Sequence, residues 1–150
     1  MNTTGQLRGA TPTTISFFRG YLVTMRPYLL FVSGVTGIAG MSFGDTSDPA
    51  RLVSIFAACF LSYGFGQALT DCFQTDTDAI SSPYRPLTRG AISRNTTLAV
   101  SLAGLTGCIS VLGYWEPMNI LLGTLAGGGL ATYTWFKRRW WGGPWYNAWI

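Results

Sequence analysis

Long apolar stretches separated by short polar segments dominate the hydrophobic pattern of the chain. Four stretches carry no charged residue and are 18, 19, 21 and 20 residues long. They are Pro27 to Gly44, Leu52 to Thr70, Asn95 to Trp115 and Pro117 to Phe136. A helix of about 20 apolar residues crosses the hydrocarbon core of a bilayer. The pattern therefore predicts an all-α, multi-span transmembrane helical bundle with four complete spans.

The segments on either side of these spans have different patterns. Residues 1–14 are polar and rich in Thr and Gly, which predicts an N-terminal arm, so that the transmembrane domain covers residues 15–150. Within that domain, Ile15 to Met25 predicts an interfacial stretch, with Phe17, Phe18 and Tyr21 along the lipid headgroups. Trp140 to Ile150 carries no charge and predicts the start of a fifth span. A chain that stops inside an apolar run is typical of a fragment.

Composition and charge support the membrane assignment. Charged residues make up 11% of the chain and apolar residues 48%, and a soluble core of this size would carry more charge on its outer faces. With four crossings, Arg51 lies alone on one side, and the other nine basic residues lie on the opposite side. Those nine are Arg8, Arg19, Arg26, Arg85, Arg89, Arg94, Lys137, Arg138 and Arg139. The positive-inside rule then predicts a multi-pass integral membrane protein with a cytoplasmic N-terminus. We expect the bilayer as its environment, no nucleic-acid partner, and leave the oligomeric state open.

Glycine spacing indicates close helix packing. Gly34, Gly37 and Gly40 recur every three residues in the first span, and Gly123 and Gly127 form a small-xxx-small pair in the fourth. Small residues let helix backbones approach each other where lipid provides no hydrophobic drive for association. The alternative is the ordinary glycine content of membrane helices.

An acidic cluster follows the second span directly. Asp71, Asp76 and Asp78 lie within eight residues, and Arg85 follows one short turn later. If the helix continues, Asp71, Gln74 and Asp78 share one face. Three such carboxylates repel one another unless a cation binds, and Mg²⁺ prefers hard oxygen ligands and bridges carboxylates to phosphates. Arg85 and Arg89 are then candidates to hold diphosphate oxygens, and the alternative is a solvated acidic loop.

This segment resembles the first Asp-rich region of the UbiA superfamily of intramembrane prenyltransferases. That region typically reads Asn-Asp-x-x-Asp-x-x-x-Asp, followed by a short turn and Arg-Pro. Asp71 and Asp78 match its first and last Asp, while Thr70 replaces the Asn and Gln74 the middle Asp. The stretch Asp78-Ala-Ile-Ser-Ser-Pro-Tyr-Arg-Pro-Leu is similar to the chlorophyll synthase-like branch, and Arg26-Pro27 resembles the family's opening. Family members have about nine spans and a second Asp-rich motif, which this chain lacks, so the resemblance implies an N-terminal half.

The resemblance implies Mg²⁺-dependent transfer of a polyprenyl group from its diphosphate to an aromatic or other lipophilic acceptor. The roles it implies divide into three groups. The catalytic residues are Asp71, Asp78 and Arg85; the substrate-binding residues are Arg26, Thr70, Gln74, Arg89 and Lys137; the metal ligands are Asp71, Asp76 and Asp78. The Asp-rich loop is expected in the cytoplasm.

Two other interpretations stay open at this point. One is a small non-catalytic membrane scaffold, and the other is a lipid-binding subunit of a larger complex. A transporter is disfavoured because the middle of each predicted span carries no ionisable residue, and coupling ions usually bind there. The absence of histidine excludes His-based general bases and Ser-His triads.

Overall fold

The computed structural model describes residues 14–44, 47–139 and 145. These residues form six α-helices and no β-strand, which confirms the all-α prediction. The helices are α1 Thr14–Thr24, α2 Pro27–Met41, α3 Pro49–Phe73, α4 Thr75–Ser81, α5 Arg94–Trp115 and α6 Met118–Lys137. The predicted N-terminal arm, apart from Thr14, and the predicted start of a fifth span, apart from Trp145, lie outside the described residues.

Local sequence signals explain where the long helices begin. Pro27 and Pro49 occupy the first turns of α2 and α3, where the missing N–H of proline costs no helical hydrogen bond. The Asp48 carboxylate accepts a hydrogen bond from Ala50 N at 2.9 Å and thereby caps α3. Ser93 caps α5 in the same way. These signals place the helix starts at the edges of the apolar stretches.

Helix α3 is the centre of the bundle, because it contacts each of the other five described helices. The C-terminal part of α3 is the most buried, since Ala68 and Leu69 are at most 1% exposed. The predicted glycine contact is present where α2 crosses α3, since a Cβ atom on Gly34 would lie 2.6 Å from the Phe56 ring. By contrast, a Cβ atom on Gly40 would meet nothing within 4 Å. The glycine face of α2 therefore packs closely along only part of its length.

Helix α1 differs from the sequence prediction in one respect. Tyr21, expected along the headgroups, is buried against Met25 and Ala68, and its hydroxyl shares a 2.8 Å hydrogen bond with Ser101 of α5. Phe18, in contrast, is exposed. The prediction is wrong for Tyr21 because a polar partner on α5 satisfies its hydroxyl inside the bundle.

Two described helices, α3 and α5, are long and apolar enough to cross a membrane, and the bent pair of α1 and α2 would make a third if it forms one span. That pair bends by 57°. Helix α6 covers the fourth predicted stretch with 20 residues but does not count among these candidates. The structure thus supports a helical membrane protein with two or three spans, and the number four stays a prediction.

Candidate active site

The candidate site lies where α3 ends and α4 begins. Asp71 occupies the last turn of α3, and Gln74 separates the two helices with φ −113° and ψ 10°. The expected shared face of Asp71, Gln74 and Asp78 depends on one continuous helix, and the break at Gln74 contradicts that expectation. At the start of α5, Arg94 Nε donates to Cys72 O at 2.7 Å. This contact satisfies a carbonyl at the end of α3 and holds α5 beside the site.

Asp71 and Asp78 nevertheless converge, because both contact the same nitrogen of Arg85. Arg85 Nη1 donates to Asp71 Oδ1 at 3.1 Å and to Asp78 Oδ2 at 2.5 Å. The two acidic residues are 5% and 6% exposed. Pro83 and Pro86 flank the arginine and restrict the loop that presents it. The loop thus supplies a fixed positive charge to two buried carboxylates.

Arg26, at the break between α1 and α2, also contacts the Asp71 carboxylate. Its Nη2 donates to Asp71 Oδ1 at 3.2 Å. Its backbone has φ 55° and ψ 65°, and it is the one non-glycine residue with positive φ in the described part of the chain. Such a conformation costs on the order of 1–3 kcal/mol and is most often found at functional sites. The bend between the helices therefore places a guanidinium on Asp71 at some cost in backbone strain.

These side chains border a polar cavity of about 290 Å³ at the cytoplasm-facing end predicted from the sequence. Six of the predicted site residues line it, and they are Arg26, Thr70, Asp71, Gln74, Arg85 and Lys137. Asp78 does not line the polar cavity but contacts Arg85, which does. Lys137 reaches across from α6, with its Nζ 3.4 Å from Gln74 Oε1. Most of the predicted site is therefore brought together by separate parts of the chain.

Two predicted site residues lie elsewhere. Asp76 is exposed, and both of its carboxylate oxygens accept hydrogen bonds from Arg138 Nη2 at 2.7 Å. The Thr77 backbone N–H, with a smaller contribution from Arg138, holds the pKa of Asp76 below its ordinary value. Arg89 is exposed and does not border the polar cavity. The structure therefore separates Asp76 and Arg89 from the buried carboxylate pair.

Sequence reasoning missed three residues that line the polar cavity: Gln67, Leu130 and Tyr133. Helical spacing contained a signal for two of them. Gln67 lies four residues before Asp71, and Tyr133 lies four residues before Lys137, so each shares a helix face with a predicted site residue. Lys137 Nζ lies 5.7 Å from the centre of the Tyr133 ring. Leu130 carries no polar side-chain atom, and its position follows only from the packing of α6 on α3.

A larger, mostly apolar cavity of about 490 Å³ adjoins the polar cavity. The two share Gln67 and Leu130 as lining residues. The walls of the apolar cavity come from α2, α3, α5 and α6 and include Ser33, Tyr63, Gly66, Leu105, Cys108, Ile109, Leu112, Gly127 and Leu130. A polar compartment with acidic and basic groups thus adjoins an apolar compartment inside the bundle.

The buried carboxylates supply hard oxygen atoms of the type that Mg²⁺ prefers. Their oxygens converge on the position of one Arg85 nitrogen, where positive charge is already held. The described residues contain no group of three or more His, Cys, Asp or Glu side chains that could bind a metal by themselves. Two carboxylates fit Mg²⁺, which usually keeps several waters and binds through one or two carboxylates together with substrate phosphates.

Apolar helices of membrane-crossing length and a polar cavity lined by carboxylate and arginine side chains are the features of a helical membrane protein with a candidate site at one end of the bundle. The chain belongs to the UbiA prenyltransferase family, whose model matches residues 30–149. Members of this family are prenyl-group transferases, which confirms the resemblance drawn from the Asp-rich segment.

The chain is similar to archaeal enzymes named for two different reactions. It is 28% identical over 120 residues to a digeranylgeranylglyceryl phosphate synthase of Thermococcus kodakarensis, which covers 79% of this chain and 43% of the relative. It is 36% identical over 86 residues to the enzyme of that name from Natronomonas pharaonis, covering 57% of this chain and 31% of the relative. It is 32% identical over 127 residues to protoheme IX farnesyltransferase 1 of Pyrobaculum aerophilum, covering 81% and 45%.

The chain spans less than half the length of these curated relatives. No solved structure matches it. The comparisons give no support to the alternative of a non-catalytic scaffold.

Proposed function

We propose that the protein is an integral membrane prenyltransferase that moves a polyprenyl group from a prenyl diphosphate to a lipophilic acceptor. The observation that carries this proposal is the junction of two compartments. Arg85 joins the buried carboxylates of Asp71 and Asp78 beside the polar cavity, and that cavity shares Gln67 and Leu130 with the apolar cavity. A prenyl diphosphate has the same two parts, an anionic head and an apolar tail.

The polar cavity supplies the groups that a diphosphate needs. Arg26, Arg85 and Lys137 line it, and arginine binds phosphate oxygens through a planar fork of donors. Gln74 and Thr70 add neutral polar groups around the same space. Arg89 is exposed and does not border the polar cavity, so we assign it to the path by which the diphosphate reaches the cavity.

The apolar cavity supplies a place for the isoprenoid tail away from water. Its lining is mostly apolar, with Ser33, Ser62, Tyr63 and Gln67 as the polar residues. Burial of apolar surface contributes roughly 25 cal/mol per Å², so the tail provides much of the binding free energy. Exclusion of water also protects an allylic carbocation from hydrolysis.

We assign Mg²⁺ to Asp71 and Asp78, with Asp76 outside this pair because it is held by Arg138. When bound, Mg²⁺ neutralises negative charge on the departing diphosphate. Arg26 and Arg85 orient the diphosphate and stabilise the charge that develops on it. The bond between the prenyl C1 and the bridging oxygen breaks, and its electron pair leaves with the diphosphate. The acceptor then forms a bond to C1 and releases a proton.

The acceptor is a lipophilic molecule that reaches the apolar cavity from the bilayer. The relatives' names refer to a glyceryl phosphate lipid product and to protoheme, so they do not agree on one acceptor. The chemical class that the cavity favours is a membrane-dissolved compound whose nucleophilic atom can lie near Gln67, at the junction of the two cavities.

The finer membrane arrangement belongs to the same proposal. We propose four crossings by α2, α3, α5 and α6, with α1 along the interface and with the N-terminus and the Asp-rich loop in the cytoplasm. The ion pair of Arg138 with Asp76 and the contact of Lys137 with Gln74 put the end of α6 beside the end of α3. An even number of crossings after α3 is needed for that proximity, and the basic residues mark this end as cytoplasmic.

The test is substitution of both carboxylates in the full-length protein. We expect Asp71→Asn with Asp78→Asn to reduce prenyl transfer by at least about a thousandfold, because electrostatic stabilisation of the leaving group usually contributes most to catalysis at such sites. Transfer is measured from a labelled prenyl diphosphate to membrane-extracted lipids, and Mg²⁺-dependent binding of a non-hydrolysable prenyl diphosphonate is measured in parallel. Asp48→Asn is the matched control, since asparagine also caps a helix. Unchanged transfer and binding in the double variant would refute the assigned roles.

A further inference from the structure

A second cavity lies at the end of the bundle that is far from Asp71. It has a volume of about 360 Å³, and Gly40, Arg51, Ile55, Leu112, Glu116 and Asn119 are among its lining residues. Arg51 lies in the first helical turns of α3, and Asp71 in the last. With a rise of about 1.5 Å per residue, about 30 Å of helix separate them. We call this space the distal cavity, and the proposed transfer reaction does not use it.

Arg51 has the features of a group that awaits an anionic partner. Its Nε is buried and has no hydrogen-bond partner among the described residues, and a buried donor without an acceptor costs about 1–3 kcal/mol. The Asp48 carboxylate caps the start of α3 and offsets the partial positive charge of that helix end. The unsatisfied Nε donor of Arg51 remains, and it favours a ligand that brings negatively charged oxygens.

Trp115 fixes the direction of this guanidinium. The Arg51 Cζ atom lies 5.8 Å from the centre of the Trp115 ring, and Trp115 Nε1 donates to Ser54 Oγ at 2.8 Å. The ring is therefore held by α3 while it packs against the arginine. Tryptophan is enriched at the depth of the lipid headgroups, which places the distal cavity at an interface between lipid and water.

Glu116 provides an opposite charge on the same cavity. It lines the space together with Arg51, yet no ion pair joins the two within the described part of the chain. Its Oε1 accepts a long, 3.5 Å hydrogen bond from Met118 N, which leaves capacity for a further donor. Among the described residues that line the distal cavity, Arg51 and Glu116 are the charged ones, and they are not paired with each other.

We propose that the distal cavity binds the headgroup of a zwitterionic phospholipid, with the phosphate on Arg51 and the ammonium group near Glu116. A zwitterionic headgroup matches the two separated charges, and a purely anionic one would meet the carboxylate without compensation. Ile55 and Leu112 give the cavity apolar walls for the first part of the acyl chains. Gly40 leaves room for the headgroup, since a Cβ atom there would meet nothing within 4 Å.

The test is lipid binding to the full-length protein in a neutral maltoside detergent. Dihexanoyl phosphatidylethanolamine is titrated against the protein and followed by thermophoresis, with phosphatidylglycerol of equal chain length, dihexanoylglycerol and inorganic phosphate in separate titrations. We expect phosphatidylethanolamine to bind most tightly. Arg51→Gln is expected to weaken that binding at least about tenfold, because a hydrogen bond to a charged group is lost. Glu116→Gln should remove the preference for phosphatidylethanolamine over phosphatidylglycerol.

Arg139→Gln is the matched control, because Arg139 also packs on a tryptophan, with Cζ 4.9 Å from the centre of the Trp135 ring, but at the other end of the bundle. The affinity of this variant should equal that of the unaltered protein. Gly40→Leu keeps both charges and fills the space, so it must also lose binding; this variant decides the matter if Arg51→Gln does not fold. The proposal would be overturned by equal affinity of Arg51→Gln and the unaltered protein, or by binding of dihexanoylglycerol or inorganic phosphate as tight as that of phosphatidylethanolamine. None of these outcomes affects the transfer reaction, which is tested at Asp71 and Asp78.

Discussion

Arg26 and Asp71 are 45 residues apart in the sequence, and Arg26 Nη2 donates to Asp71 Oδ1 at 3.2 Å. The contact depends on a left-handed backbone at Arg26, with φ 55°. A residue of this type is costly in that conformation, whereas glycine adopts it freely. Arg26 therefore combines a positively charged side chain that contacts Asp71 with a strained backbone conformation. Two substitutions at this one position separate the two properties.

We expect Arg26→Gln and Arg26→Gly to weaken prenyl diphosphate binding equally but to differ in stability. Both remove a charged donor from the polar cavity, so KM should rise about ten- to a hundredfold in each. Only glycine adopts a positive φ without strain. The free energy of unfolding should therefore be about 1 kcal/mol larger for Arg26→Gly than for Arg26→Gln, and its unfolding temperature should be higher. Steady-state kinetics and thermal unfolding in detergent measure the two effects. Equal unfolding temperatures would show that the conformation at Arg26 is not strained.

Arg85 should matter for stability as well as for substrate binding. Replacement by Gln removes the cation that joins Asp78 to Asp71 and leaves Asp71 with Arg26 alone, and loss of one partner from a buried charge network costs about 3–5 kcal/mol. Asp78→Asn in the Arg85→Gln background removes the charge of Asp78, so part of this loss should be recovered. Chemical denaturation of the two single variants and the double variant forms a complete cycle. Additive losses would mean that Arg85 and Asp78 are not coupled in stability.

Most residues of the candidate site could be predicted from the sequence, and the wrong or missing predictions have physical reasons. Asp71, Asp78, Arg85 and Arg26 stand in motif positions, and the structure brings them together. Asp76 has the same residue type as its neighbours, but the break at Gln74 turns it towards Arg138, and local spacing cannot reveal a partner 62 residues away. Leu130 and the apolar cavity depend on the packing of four helices. The prediction for Tyr21 is wrong because an amphipathic aromatic residue suits both a membrane interface and a buried hydrogen bond.

The Asp76–Arg138 ion pair links α4 to the end of α6, and we expect it to restrain α4. Reversal of either charge alone, Asp76→Arg or Arg138→Asp, should increase amide hydrogen exchange in residues 75–81 several-fold. The double reversal restores an opposite-charge pair and should restore protection. Because both side chains are exposed, added salt should reproduce part of the effect by screening. Exchange measured by mass spectrometry would contradict the restraint if the double reversal behaved like the single ones.

The pH dependence of this restraint follows from the pKa of Asp76. That pKa is lowered in the folded protein, first by the Thr77 backbone N–H and then by Arg138. A carboxyl group with a lowered folded-state pKa stabilises the fold above its unfolded pKa and loses that effect as the pH falls through the folded value. Protection of residues 75–81, corrected for intrinsic exchange rates, should therefore stay constant from neutral pH down to about pH 5 and decline below about pH 4. A decline already between about pH 7 and pH 6 would require a different group.

Two adjacent glycines of α6 offer a test of where the isoprenoid tail lies. Gly127 lines the apolar cavity, whereas Gly128 does not. Both border a different groove between α5 and α6, and a Cβ atom on either would meet nothing within 4 Å. A Cβ atom therefore fits at either position without a clash, and leucine improves helix propensity to the same extent at both. The two variants differ only in whether the new side chain projects into the proposed tail compartment.

We expect Gly127→Leu to shift donor preference towards shorter prenyl chains and Gly128→Leu to leave it unchanged. A leucine side chain is about as large as one isoprene unit, and a pocket that excludes even one methylene discriminates by about tenfold or more. The ratio of kcat/KM for geranyl diphosphate to that for geranylgeranyl diphosphate should therefore rise at least about tenfold in Gly127→Leu. Competition between the two donors in one reaction, with the products separated by mass, measures this ratio directly. If both variants keep the original ratio, the tail lies outside the apolar cavity, and if both shift it equally, the tail lies in the groove between α5 and α6.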